Sequence, residues 1–181
     1  IGNGMVGVAT AWQRKQSQPD KSSLLLEKED SFSQHQTGHN SGVIHAGVYY
    51  APGSLKAKFC REGVAATIEF CQNNSIPYEQ CGKLLVACNA IEYERMDALY
   101  KRCHENQLDV EWLDADQLKL REPNISGIAG VLVKTTGIVD YRLITRKMAE
   151  QFIALGGEAR LQYEVVGMHE YSDQIDVRVR S

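Results

Sequence analysis

The sequence lacks any apolar run approaching the roughly 20 residues needed to cross a bilayer, so no transmembrane helix is predicted. It also lacks an excess of basic residues, since the formal net charge is −3, which argues against a nucleic-acid-binding protein. No basic segment followed by an apolar one opens the chain, and no signal peptide is predicted. The hydrophobic fraction of 43% is ordinary for a globular protein and sufficient for a core.

The five cysteines include no C-x-x-C pair. Their odd number and scattered spacing are typical of reduced thiols in a cytosolic protein. A zinc site is the alternative interpretation, but zinc ligands usually come in close pairs, so we predict no metal. The cysteines are Cys60, Cys71, Cys81, Cys88 and Cys103.

The chain opens with IGNGMVGVATAW, in which Gly2, Gly4 and Gly7 have the G-x-G-x-x-G spacing of a dinucleotide-binding turn. In such a turn the glycines allow a tight bend, a close approach to a pyrophosphate and close helix packing. The N-terminus of the following helix offers N–H groups to the phosphates. Glu27 ends the apolar run LLLE 20 positions after Gly7, where an acidic residue would bind ribose hydroxyls. The alternative is a glycine-rich turn before an ordinary helix.

Only Ile1 precedes this turn, although a strand should come before it, so we expect a site whose first strand is missing from the sequence. An acidic residue at the ribose favours NAD or FAD over a cofactor with a 2′-phosphate. The segment QTGHNSGVIHAGVYY favours FAD, because flavoproteins carry a second glycine-rich segment beside the pyrophosphate and flavin. An NAD-dependent dehydrogenase and a non-catalytic nucleotide-binding fragment remain the alternatives.

Periodicity predicts helices over residues 5–16, 55–71, 91–106 and 141–155, with an irregular segment over 31–53. In the second helix, Leu55 and Phe59 are predicted on the buried face. Asp114 and Gln117 predict a capping box. Residues 130–140 are predicted as one strand, and the C-terminal residues as a β-hairpin.

The segment HQTGHNSGVIHAGVYYAPGSLKAKFC, with LLLEKE and the opening glycines, resembles the L-2-hydroxyglutarate oxidase or dehydrogenase family. These are FAD-dependent oxidoreductases related to D-amino-acid oxidase, and the chain would cover somewhat less than half of a typical member. The resemblance implies an α/β (α+β) fold, with a Rossmann-like FAD-binding domain lacking its first strand and part of an antiparallel-sheet substrate domain. The implied division is 1–80 for the FAD-binding domain, 81–139 for the substrate domain and 140–181 for the return to the FAD-binding domain.

The same resemblance implies roles for individual residues. Gly2, Gly4 and Gly7 would hold the pyrophosphate, Glu27 the ribose, and Lys28 would lie near the adenine. The edge strand that contains Val165 and Val166 would lie beside the adenine. The residues expected to line the pyrophosphate and the flavin are Thr37, Gly38, His39, Asn40, Ser41, Gly42 and Val43.

The implied reaction is oxidation of L-2-hydroxyglutarate to 2-oxoglutarate by hydride transfer to the flavin, with oxygen or a quinone as the final electron acceptor. His45 is the candidate base, because imidazole can be neutral near pH 7. Alternatively, His45 only contacts the flavin. The substrate has two carboxylates, for which Lys58 and Arg61 are candidate partners. The alternative is that both lie on solvated helix faces, and the main anchors are expected outside this chain. A cytoplasmic protein is expected, with peripheral membrane association if the acceptor is a quinone.

Overall fold

The computed structural model describes all 181 residues, which divide into two compact units. Unit 1 comprises residues 1–41 and 140–181, and unit 2 comprises residues 42–139. The functional division at residues 80 and 81 stays a prediction. In chain order the elements are α1 (Met5–Ser17), β1 (Leu24–Leu26), β2 (Val43–Ile44), α2 (Leu55–Asn73), β3 (Tyr78–Glu79), β4 (Lys83–Ala87), α3 (Ala90–Glu105), β5 (Val110–Asp114), α4 (Ala115–Arg121), β6 (Ala129–Val133), β7 (Gly137–Val139), α5 (Tyr141–Ala154), β8 (Glu158–Arg160), β9 (Glu164–Glu170) and β10 (Ile175–Arg180).

Unit 1 is built around two parallel strands, β1 and β8, in which Leu25 lies opposite Ala159. Each strand follows a helix, α1 before β1 and α5 before β8, so that the two helices can pack together and cover the strands. Their apolar residues meet in one cluster, and removing this surface from water stabilises the unit. The buried members of the cluster are Val8, Leu25, Ala149 and Phe152.

The C-terminal residues of unit 1 form the predicted hairpin, β9 and β10, which pair antiparallel with Ile175 opposite Glu170. The Tyr171 N–H closes the turn on the Gln174 carbonyl at 2.8 Å. The register shifts between Arg178 and Val179, which marks a β-bulge near the end of the hairpin.

The core of unit 2 is an antiparallel sheet in the order β4–β6–β5. The central strand β6 (AGVLV) is buried at all five positions, because successive side chains point to opposite faces and both faces are covered. Val131 packs in a cluster with Met96 of α3, whereas Leu132 packs in a cluster with Leu118 of α4. The antiparallel sheet expected in this part of the chain is therefore present.

Local signals set the ends of α4. The Gln117 N–H donates to Asp114 Oδ1 at 2.8 Å, and the Asp114 N–H donates to Gln117 Oε1 at 2.9 Å. Both halves of the predicted capping box are formed. The helix ends at Arg121, two residues before Pro123.

Two sequence-based expectations were wrong. Leu55 and Phe59 of α2 are 68% and 61% exposed, and Cys71 is the helix's buried residue. Periodicity identifies an apolar face, but whether that face is covered depends on the rest of the fold. The strand predicted over 130–140 is divided into β6 and β7, and Val139 of β7 pairs with Tyr78 of β3. None of the helices has the length and hydrophobicity required of a membrane span.

Candidate functional site

The glycine turn of unit 1 has the geometry that its spacing predicts. Gly2 has a φ of +93°, in the region that glycine alone adopts readily, and its N–H donates to the Leu26 carbonyl at 2.8 Å. A Cβ added at Gly7 would lie 1.9 Å from the Gly2 carbonyl oxygen, far inside van der Waals contact. Helix α1 therefore packs against the turn only because residue 7 lacks a side chain.

Glu27 is buried, with 8% exposure, at the carboxyl end of β1. One carboxylate oxygen accepts from the Asn3 N–H at 2.6 Å, inside the glycine turn. The other accepts from the N–H groups of Lys28 and Glu29 at 2.8 and 3.1 Å. A carboxylate offers about four lone-pair sites, so these three donors leave about one for a ribose hydroxyl. Glu27 thus also fastens the glycine turn to the strand end, a role that its spacing alone does not indicate.

A cavity of about 330 Å³ opens beside the turn, and we call it the unit 1 cavity. Its volume is at the lower end of the range of about 300–1,000 Å³ typical of ligand pockets. The glycine cradle, the acidic residue and this cavity together fit the adenosine end of a dinucleotide. Val165 lines the cavity, whereas Val166 does not and is 50% exposed. The position of their strand beside the adenine stays a prediction. The lining residues are Ile1, Gly2, Gly4, Leu26, Glu27, Lys28, His35, Tyr163, Glu164 and Val165.

The predicted pyrophosphate- and flavin-binding segment begins as a compact turn on unit 1. The Thr37 hydroxyl accepts from the Met5 N–H at 2.9 Å, at the first residue of α1. A Cβ at Gly38 would lie 2.1 Å from the Ser33 carbonyl oxygen, so glycine is required there. Arg142 donates through Nε to the Gly38 carbonyl at 3.1 Å and holds the turn from α5.

The next three residues of the segment, His39, Asn40 and Ser41, are exposed. The Asn40 amide donates to the Thr37 carbonyl at 2.7 Å, and His39 Nδ1 hydrogen-bonds to the His35 carbonyl at 2.9 Å. In unit 2, Gly42 has a φ of +68° and Val43 pairs with Ile138 in the sheet. Their contacts with a cofactor remain predictions.

Burial alternates from the last residue of β2 into the turn that follows it. Ile44, Ala46 and Val48 are buried, with exposures of 2%, 6% and 5%. His45 and Tyr49, which alternate with them, are exposed. Ala46 and Val48 belong to the main core cluster of unit 2 and anchor the segment to it. The candidate base is therefore presented on the outer side of an anchored backbone.

Two further contacts fix this segment. The Cys60 thiol donates to the His45 carbonyl at 2.9 Å. Gly47 has a φ of +84°, and a Cβ there would lie 3.0 Å from Cys60 Sγ, so the close passage of α2 favours glycine. The Asn106 amide donates to the Tyr50 carbonyl at 2.9 Å and holds the other end of the segment.

The outer side of the segment borders a second cavity of about 240 Å³, the unit 2 cavity. It is lined by His45, Ala46, Gly47, Val48, Tyr49, Tyr50, Lys83 and Thr136. Lys83 is the single acidic or basic residue of the lining apart from the histidine. This residue was not among the predicted site residues, because nothing in the pattern of β4 indicates that its first residue meets the segment after β2.

The two cations proposed to bind the substrate lie elsewhere on unit 2. Lys58 Nζ is 3.9 Å from Glu62 Oε1, one helical turn along α2. Arg61 donates through Nη1 to Gln107 Oε1 at 2.8 Å. Both are exposed, and neither lines the unit 2 cavity. Their roles in substrate binding stay predictions.

Glu27, Glu29 and His35 bring one ligand atom each to within 4.8 Å of one another. Hydrogen bonds account for this grouping, since His35 Nε2 lies 2.8 Å from Glu29 Oε1 and Glu27 accepts from backbone N–H groups. The hydrogen bond to His35, and then the one to Lys28, lower the pKa of the Glu29 carboxyl.

Parallel strands, a glycine turn at a helix N-terminus and a buried acidic residue at the next strand end define a dinucleotide-binding protein. The chain belongs to the DAO family of FAD dependent oxidoreductases, whose model matches residues 1–180. The L-2-hydroxyglutarate dehydrogenase of Escherichia coli (strain K12) is 51% identical over 180 residues, which are 99% of this chain and 43% of that protein. The enzyme of the same name from Salmonella houtenae is 50% identical over 178 residues, 98% of this chain and 42% of that protein.

Among solved structures, the dithionite-reduced L-alpha-glycerophosphate oxidase of Mycoplasma pneumoniae with FAD bound has a TM-score of 0.89 and 25% identity. The match covers 98% of this chain and 48% of that one. The predicted fold class and the predicted resemblance are confirmed, and the family favours FAD over NAD. The chain spans less than half the length of the relatives that it matches.

Proposed function

We propose that this chain is part of a flavoenzyme that oxidises L-2-hydroxyglutarate to 2-oxoglutarate. The observation that carries the proposal is 51% identity, over 99% of the chain, to an enzyme named for that substrate. Two features of the structure support the proposal. Residue 7 must be glycine for α1 to pack against the turn that would hold the pyrophosphate of FAD. An anchored segment exposes His45, which would act as the base.

The adenosine and pyrophosphate of FAD would be held in unit 1. Gly2 and Gly4 line the unit 1 cavity at the N-terminus of α1, where the helix dipole favours phosphate. Glu27 borders the same cavity and would bind the ribose, with Lys28 beside it. When bound, the flavin accepts the hydride equivalent that leaves C2 of the substrate.

In unit 2, His45 would act as the general base. A neutral ring nitrogen accepts the proton of the C2 hydroxyl, so that the C2–O bond can become a carbonyl as the hydride departs. The buried neighbours Ile44 and Ala46 hold the backbone on either side of it, which restricts where the ring can lie. This restriction is what a base needs in order to stay oriented toward a bound hydroxyl.

The proposal also covers the electron acceptor and the cellular location of the enzyme. Oxygen or a quinone would take the electrons from the reduced enzyme, and a quinone would favour peripheral association with the inner membrane face. The five free cysteines, of which Cys81 and Cys88 are exposed, support a reducing cytoplasmic location.

The test is a steady-state assay of the full-length flavoprotein with the L and D isomers of 2-hydroxyglutarate. Oxidation of the L isomer with formation of 2-oxoglutarate, and no comparable oxidation of the D isomer, is the expected result. A full-length protein that binds FAD but oxidises neither isomer would contradict the proposed function and favour a role in nucleotide binding alone.

A further inference from the structure

The unit 2 cavity contains a cation, Lys83, that is not among the residues predicted to bind the substrate. Lys83 is the first residue of β4, is only partly exposed, and reaches the cavity beside His45 and Tyr49. Gly82, immediately before it, has a φ of +75° and donates its N–H to the Thr136 carbonyl at 2.9 Å. The start of the strand, and with it the position of the lysine backbone, is therefore fixed.

The ammonium of Lys83 has no acidic partner. Five other lysines lie within 4.0 Å of a carboxylate, whereas Lys83 forms none of the ion pairs of the chain. No Asp or Glu lines the cavity. Instead, Lys83 Nζ lies 5.2 Å from the ring centroid of Tyr49, close enough for a cation–π contact that orients the ammonium without neutralising it.

A partly buried positive charge without a counter-ion favours an anion in the same cavity. The volume of about 240 Å³ lies below the usual range of drug-sized sites, about 300–1,000 Å³, and suits a small acid. We propose that Lys83 binds a carboxylate of the 2-hydroxy-acid substrate, and that Tyr49 positions its ammonium for this contact. The inference rests on the proposed function, because it places the carboxylate in the cavity that His45 also lines.

The test compares Lys83→Met with Lys56→Met in the full-length flavoprotein. Lys56 is an exposed lysine of α2 that does not line the cavity, so the same substitution there is a matched control. The probe is glutarate, which carries both carboxylates but has no hydroxyl to oxidise. Calorimetry should show glutarate binding weakened about 10- to 100-fold in Lys83→Met, as expected for the loss of one charge-assisted contact. Lys56→Met should bind like the wild type.

Lys83→Arg should retain most of the glutarate affinity because it keeps the positive charge. If Lys83→Met loses its flavin, Lys83→Gln serves for the same comparison. Kinetics with a monocarboxylic (S)-2-hydroxy acid then tell which carboxylate is bound. A loss restricted to 2-hydroxyglutarate indicates the distal carboxylate, and a loss for both acids indicates the one next to the hydroxyl.

Unchanged glutarate affinity in the Met or Gln variant would overturn the inference. So would a changed flavin spectrum with unchanged glutarate affinity, because Lys83 would then act on the cofactor. In both cases a wild type that oxidises L-2-hydroxyglutarate leaves the proposed function intact. A wild type that oxidises no 2-hydroxy acid contradicts the proposed function itself.

Discussion

The candidate site of unit 1 and that of unit 2 are built from different kinds of chemical group. In unit 1, the site consists mainly of backbone groups and of positions where a side chain would not fit, such as Gly7 and Gly38. In unit 2, it consists of side chains, His45 and Lys83, presented on the anchored segment after β2 and at a strand end. Substitutions that add a side chain should therefore reduce cofactor binding in unit 1 most. Substitutions that remove a side chain should reduce the reaction rate most when they are made in unit 2. Each prediction below is for the full-length flavoprotein.

The largest effect is expected for Gly7→Ala. Its methyl group would lie 1.9 Å from the Gly2 carbonyl oxygen, so the turn and α1 must separate. Overpacking of this kind costs about 1–3 kcal/mol or more, and we expect the FAD content to fall to about one tenth or less. The measurement is the ratio of flavin to protein absorbance after purification.

Gly63→Ala is the matched control for this substitution. Gly63 lies within α2, and nothing is within 4 Å of an added Cβ there. Replacing a helical glycine by alanine normally stabilises by about 0.5–1 kcal/mol. A Gly7→Ala protein that retains full FAD occupancy would refute the steric account of unit 1.

The next effect is expected for His45→Ala, which deletes the candidate base but leaves the anchoring residues in place. Turnover should fall about 10²–10⁴-fold, the usual contribution of a general base, while the FAD content stays near that of the wild type. Stopped-flow flavin reduction measures the loss of rate, and the ratio of flavin to protein absorbance measures the FAD content.

His169→Ala is the control for His45→Ala, because His169 lies on the exposed hairpin and its ring meets that of Tyr171. If His45→Ala reduces its flavin as fast as this control, His45 is not the base. Loss of FAD together with activity would instead indicate that His45 mainly contacts the flavin.

A smaller effect is expected for Arg142→Ala in unit 1. This change removes the hydrogen bonds from Nε and Nη2 to the Gly38 carbonyl, which hold the turn that contacts α1 through Thr37. We expect the Kd for FAD to rise about tenfold or more, because the hydrogen bonds of a charged donor are lost. Arg146→Ala, at an exposed position of the same helix, should leave the Kd unchanged. Equal Kd values for the two variants would show that Arg142 does not support the turn.

The smallest effect concerns the cysteines, all five of which lie in unit 2. Burial raises the pKa of the thiols of Cys60, Cys71 and Cys103, so less of each is present as the reactive thiolate at mildly alkaline pH. Iodoacetamide at pH 8 should modify the exposed Cys81 and Cys88 first, as mass spectrometry of proteolytic peptides would show. Equal rates at all five would contradict the packing of unit 2.

The predictions from sequence succeeded where the cause was local. The glycine spacing, the position of Glu27 and the capping box at Asp114 each reflect steric or hydrogen-bonding needs within a few residues or one helix–strand unit. The alternating burial of Ile44, Ala46 and Val48 could also have been found, because these apolar residues alternate with His45 and Gly47 in the sequence.

Features whose cause is distant in the sequence could not be predicted. The pairing of Val43 with Ile138 and the position of Lys83 beside residues 45–50 leave no pattern in the sequence. Leu55 and Phe59 have the periodicity of a buried face but are exposed, because burial depends on what the fold brings against the helix. Periodicity therefore identifies the apolar face of a helix or strand, but not the element that packs against that face.

The most direct test is the visible absorption spectrum of the full-length protein before and after anaerobic addition of L-2-hydroxyglutarate. We predict a flavin band that bleaches on addition, because unit 1 would hold the FAD and unit 2 would supply the base. A flavin band that persists unchanged, in a protein that retains its FAD, would contradict the assignment of this chain to L-2-hydroxyglutarate oxidation.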